Sequence, residues 1–157
     1  MLKLVYYGQN DGHWGPDVTL TGDPGTDNVT LLNAGYLGGK VVSLVASATA
    51  SRGVVAVPCD AAAFHPYGFL MNGPGEFAGA IGPSGSGKIS IVRAMPVILV
   101  DSQAYDALGT YVIGGPVYCG TGAKVGLVTS VSTGPIIGTV TAIPTATFPW
   151  LGIAALI

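Results

Sequence analysis

The sequence predicts an all-β fold: a single compact β-barrel or β-sandwich domain with short helical turns and an extended N-terminal arm. Three observations carry that expectation. Turn residues recur at short intervals, with 25 Gly and 11 Pro in 157 residues. Between them lie runs of about 4 to 8 residues rich in Val, Ile, Leu, Thr and Tyr, the mark of strands bounded by turns. The length suits one domain with a sizeable core and is too short for two ordinary ones.

Taken in order, strands are expected over 40–46, 54–57, 68–71, 88–94, 97–100, 111–113, 117–119, 125–130, 136–142 and 151–156. Glycine- and proline-rich segments separate them, such as "SRG" at 51–53, "NGPG" at 72–75, "GTGAK" at 120–124 and "STGP" at 132–135. "GLVTSV" alternates, as a half-buried strand does, whereas "VILV" and "GVVAV" are apolar on both faces and suit a buried strand or an interface. Only "DAAAF" at 60–64 and "SQAYDAL" at 102–108 read as helical, each of one or two turns, with Asp60 and Ser102 as their caps. Ten short strands need closure into a barrel or stacking into two sheets to dispose of exposed edges.

Residues 1–30 differ from the domain over 31–157. Tyr6, Tyr7 and Trp14 are interleaved with Gly, Asn, Asp and Pro without a sustained period. An arm or long loop that orders against a partner is expected there.

Charge narrows the function classes. Asp, Glu, Lys and Arg make up 9% of the chain and the net charge is -2, against about a quarter charged in ordinary domains. A surface so poor in charge points to self-association or docking on a larger assembly. The six basic residues are spread singly, so no stripe exists to neutralise phosphates, and nucleic-acid binding is disfavoured. No segment has the continuity of a membrane span: "VVSLVASATASRGVVAV" is broken by Arg52 and hydroxyls, and "PWLGIAALI" is too short. The start, "MLKLVYYGQNDGHWG", lacks a secretory apolar region, which predicts synthesis in the cytosol. Cys59 and Cys119 are then expected as reduced, half-buried thiols, with pairing as the alternative.

The most enzyme-like stretch is "GPSGSGKIS" at 82–90. Gly82, Gly87 and Lys88 fit a phosphate-binding loop, but Ile89 stands where the magnesium-binding hydroxyl belongs. The following "KISIVRAMPVILV" is β-branched and interrupted by Pro96, so it reads as a strand and supplies no helix N-terminus to face an anion. The glycines then serve a turn. His13, His65, Cys59 and Cys119 form no metal-ligand spacing. No nucleophile elbow is present, and Asp23, Asp27 and Asp60 sit where turns and caps use them. The expectation is a chain with no enzymatic activity and no cofactor.

The phrases "HPYGFLMNG", "GSGKISIVRAMPVILVD", "GGPVYCGTGAKVGLVTS" and "GPIIGTVTAIPTATFPWLGIAAL" follow one another from residue 65 to the C-terminus. In this order they resemble the small head decoration, or capsid cement, proteins of tailed bacteriophages, over roughly residues 40–157 and most clearly from 110 onward. "PVY" reads as a strand entering the turn "GTGAK", "GLVTS" as its return, and "IIGTVT" with "WLGIAAL" as the closing strands of a β-meander. The resemblance implies a β-rich virion protein, made in the host cytoplasm, that binds the exterior of the expanded capsid and bridges major capsid protein subunits; such proteins commonly associate as homotrimers, with dimers and monomers in related systems. It also implies that the N-terminal segment contacts the shell. Residues 2–7, "LKLVYY", including Leu2 and Leu4, alternate well enough to add to a capsid strand. Tyr6, Tyr7, Trp14, Trp150 and Leu151 are the expected interface anchors, since aromatic anchors dominate binding energy. Core packing is the alternative role for Trp150. A receptor- or carbohydrate-binding β module of a phage fibre is the competing class, with "YYGQNDGHWG" at 6–15 as its recognition loop.

Overall fold

The structure, a computed structural model, describes residues 2–4, 18–20, 38–46, 54–70, 88–89 and 91–157, and these form two six-stranded sheets. The strands are β1 (Leu2–Leu4), β2 (Val18–Leu20), β3 (Val41–Ala46), β4 (Val54–Pro58), β5 (Gly68–Leu70), β6 (Lys88–Ile89), β7 (Ile91–Val92), β8 (Ile98–Val100), β9 (Pro116–Cys119), β10 (Val128–Thr129), β11 (Ile136–Ala142) and β12 (Leu151–Ala155). The first sheet runs β1-β8-β12-β11-β9-β10 and the second β6-β2-β4-β3-β5-β7. Among these strands every pairing is antiparallel except β2 with β4, and an isolated parallel bridge joins Tyr105 to Val128. The all-β expectation holds, and the architecture is that of a β-sandwich.

The core lies between the sheets because alternate residues of each point inward. Val41, Phe69 and Val92 of the second sheet meet Ile98, Val100, Val117, Ile137, Val140, Leu151 and Ile153 of the first in one cluster. Register explains the row on the second sheet: Val41 pairs with Phe69, and Phe69 with Val92. The neighbours Val42, Leu70 and Ile91 face the other way, yet they too are fully buried, in a cluster with Ala56. The second sheet is therefore apolar on both faces. Tyr67 packs on this second cluster. Arg93 covers the Tyr67 ring, its guanidinium carbon 4.2 Å from the centroid and its Nε donating to the Tyr67 carbonyl at 2.9 Å.

Close approach of β5 and β7 needs a residue without a side chain. A Cβ on Gly68 would run into Ile91 Cγ2 and lie 2.8 Å from the Val92 carbonyl oxygen. The chain then crosses from one sheet to the other through Ala94, whose φ of 46° is in the left-handed region. Its N–H donates to the Ile157 carbonyl at 2.6 Å.

Several local expectations change. Residues 111–113 form no strand: Gly115 N–H donates to the Val112 carbonyl at 2.8 Å and Gly114 has a φ of 79°, so the chain turns. Neither helical segment forms a helix. Asp60 does cap its turn, accepting from Ala62 N–H at 3.1 Å. In the second segment the cap is Asp101, which accepts from Gln103 N–H at 3.1 Å, one residue before the expected Ser102. The described residues contain one helical turn, a 3-10 turn at Gly122–Lys124.

The C-terminal strands do not form a simple meander. β9 pairs with both β10 and β11, so the chain leaves edge strand β10 and passes the end of β9 before entering β11. Two pieces of the 1–30 segment are strands of the sheets: β1 pairs with β8, and β2 with β4 and β6. Among the described residues no helix is long and apolar enough to cross a membrane.

Candidate functional site

Strand direction places several loops together. β8 and β11 end, and β9 and β12 begin, at the same end of the first sheet, because Leu151 pairs with Val100, Ala142 with Gly152, and Thr139 with Pro116. The segments 101–115 and 143–150 therefore share that end of the sandwich.

Segment 101–115 is anchored by polar groups. Asp106 N–H donates to the Val128 carbonyl and Val128 N–H to the Ala104 carbonyl, at 2.8 and 2.9 Å, so the segment lies along edge strand β10. The Asp106 carboxylate is buried, 5% exposed as a residue. One oxygen accepts from Leu108 N–H at 3.2 Å and the other pairs with Lys124 Nζ at 2.5 Å. The Tyr111 hydroxyl lies 3.0 Å from the Asp106 carbonyl and 2.9 Å from the Val128 carbonyl, its one proton serving both acceptors. Tyr105 and Tyr111 meet edge to face with centroids 5.8 Å apart. Burial, the larger cause, and the nearby Asp106 charge push the Tyr111 phenol above its ordinary value.

Segment 143–150 is tied down as well. Thr145 and Phe148 exchange backbone hydrogen bonds at 2.7 and 3.2 Å, and Thr145 Oγ1 accepts from Phe148 N–H at 3.0 Å. Tyr105 Oη donates to the Pro149 carbonyl at 3.4 Å, linking the two segments. Gly114 N–H donates to the Val140 carbonyl at 2.8 Å, which fixes the 112–115 turn against β11.

These anchored segments hold apolar side chains in solvent. Leu108 is 91% exposed, Val112 65% and Ile113 63%, with Ile143 and Phe148 also exposed. The arrangement can bury area against another macromolecule with little further loss of backbone freedom.

The sequence-selected anchors are distributed differently. Leu151 is fully buried in the intersheet core and presents no surface, because it opens β12 with its side chain directed toward the opposite sheet. Trp150, its neighbour, is half-buried at the shared end of the sheet. Leu2 and Leu4 belong to β1, an edge strand whose inner side is taken by β8 of the same chain. Tyr6, Tyr7 and Trp14 lie outside the described residues, as do His13 and the glycines at 82–87. Lys88 is in β6, paired with β2, in keeping with the strand expected there.

Sequence reasoning passed over Val112, Ile113, Ile143 and Phe148. Their signal is an apolar side chain inside a Gly- or Pro-rich turn segment, beside Gly114, Gly115, Pro144 and Pro149, where no strand face exists to bury it. Among the described residues no group of three or more His, Cys, Asp or Glu is placed to hold a metal ion. No family model, curated protein or solved structure matches the chain.

Proposed function

We propose that this chain is a structural virion protein of the capsid decoration class, which seats on the outer surface of an expanded phage head and stabilises it by bridging major capsid protein subunits. The observation that carries the reading is the rim of Val112, Ile113, Ile143 and Phe148, exposed on loops that are hydrogen-bonded in place. A chain with 9% charged residues offers few groups that would need desolvation at such a contact. Each contact needs about 1,000 Å² or more of burial to persist, and repetition over a symmetric shell adds avidity. Association as a homotrimer would place three such rims on one shell position.

The test is co-sedimentation of the purified protein with undecorated expanded heads and with unexpanded proheads of the source particle, counting copies bound. Saturable binding to expanded heads at fixed stoichiometry supports the reading, and the copy number reports the symmetry site. Absence of binding to either, together with retention on a glycan array, would move the assignment to a fibre or receptor-binding module.

A further inference from the structure

Cys59 and Cys119 lie 60 positions apart in sequence and at the ends of strands of different sheets, yet both belong to the buried cluster between the sheets. Cys59 follows β4 of the second sheet and Cys119 ends β9 of the first. The Cys119 thiol donates to the Cys59 carbonyl at 3.2 Å and also lies 3.6 Å from the Gly120 carbonyl. The backbone on both sides is fixed. Cys59 N–H donates to the Val41 carbonyl at 3.2 Å, and its carbonyl also accepts from Gly126 N–H at 2.8 Å. The Cys119 carbonyl accepts from the Thr133 hydroxyl at 2.5 Å. Both residues are fully buried rather than half-buried, and neither is in a disulfide.

We propose that Cys59 and Cys119 are a covalent modification site, at which exchange with a small-molecule disulfide forms an intrachain bond that staples the two sheets together. The Cys59 thiolate attacks one sulfur of the small disulfide, forming a mixed disulfide and releasing one small thiolate. Cys119 then gives up its proton, attacks the Cys59 sulfur and expels the second small thiolate. Two protein thiols and one small disulfide thus become one protein disulfide and two small thiols. The same exchange with the roles of the two cysteines reversed gives the same product. Because both residues are buried, the reaction proceeds during folding or through local opening of the core around them.

The experiment refolds the full chain in oxidised glutathione and, in parallel, in a reductant. Intact mass, thiol titration in denaturant and peptide mapping follow, with thermal unfolding of both forms. Expected are a mass lower by two hydrogens, loss of both titratable thiols, a linked Cys59–Cys119 peptide, and a thermal midpoint higher by about 10 °C for a closed loop of this length. Cys59→Ala with Cys119→Ala should fold and show no oxidant-dependent shift. Recovery of both thiols, glutathione on each cysteine without an internal bond, disulfide-linked dimers, or a lower midpoint in the bridged form would each overturn the proposal.

Discussion

The Lys124 ammonium meets the Asp106 carboxylate at 2.5 Å, with the carboxylate buried and the lysine side chain 45% exposed. The pair joins the loop after β8 to the turn between β9 and β10. Removing the lysine leaves a buried carboxylate held by the Leu108 N–H. Lys124→Ala should therefore lower stability by about 1–3 kcal/mol, whereas Asp106→Asn, which keeps an oxygen acceptor, should cost less. Urea unfolding of both variants checks the order.

Tyr111 sets a pH dependence. Its phenol is raised in the folded chain, while the unfolded chain ionises near the ordinary value of about 10. Above that pH the unfolded state binds fewer protons than the native state, so stability is full below about pH 10 and falls as pH rises further. Tyr111→Phe should remove this part of the alkaline loss and cost about 1 kcal/mol at neutral pH, through the missing hydrogen bond. Unfolding measured at pH 7 and at a series of pH values above 10, wild type against variant, separates the two effects.

Gly68 is a steric requirement. A methyl there would collide with Ile91 and with the Val92 backbone, and backbone cannot rotate away as a side chain can. Gly68→Ala should destabilise by about 2–3 kcal/mol, seen as a lower denaturant midpoint with an unchanged slope.

Leu151 and Ile113 should separate folding from binding. Leu151→Ala opens a cavity in the intersheet core and should cost about 2–5 kcal/mol, while folded protein still binds shells. Ile113→Asp, at an exposed position, should leave the thermal midpoint within about 2 °C of wild type and weaken co-sedimentation with expanded heads about tenfold or more. Equal shell binding by Ile113→Asp and wild type would remove the rim from the proposed contact.

The β class and the approximate places of β3, β4, β11 and β12 were legible in the sequence. Runs of β-branched residues between glycine and proline turns encode a strand within a few positions. Lys88 could be assigned to a strand, against its phosphate-loop look, on the same local grounds. Tertiary structure decided what depends on distant partners: that β9 pairs with β11 as well as β10, that Leu151 faces the core, and that Val112 and Ile113 turn outward at Gly114. It also decided that Cys59 and Cys119 meet. A strand's propensity is carried by its own residues, but its register, its buried face and its neighbours are selected by packing across the sandwich, and those energies belong to pairs of segments far apart in the chain.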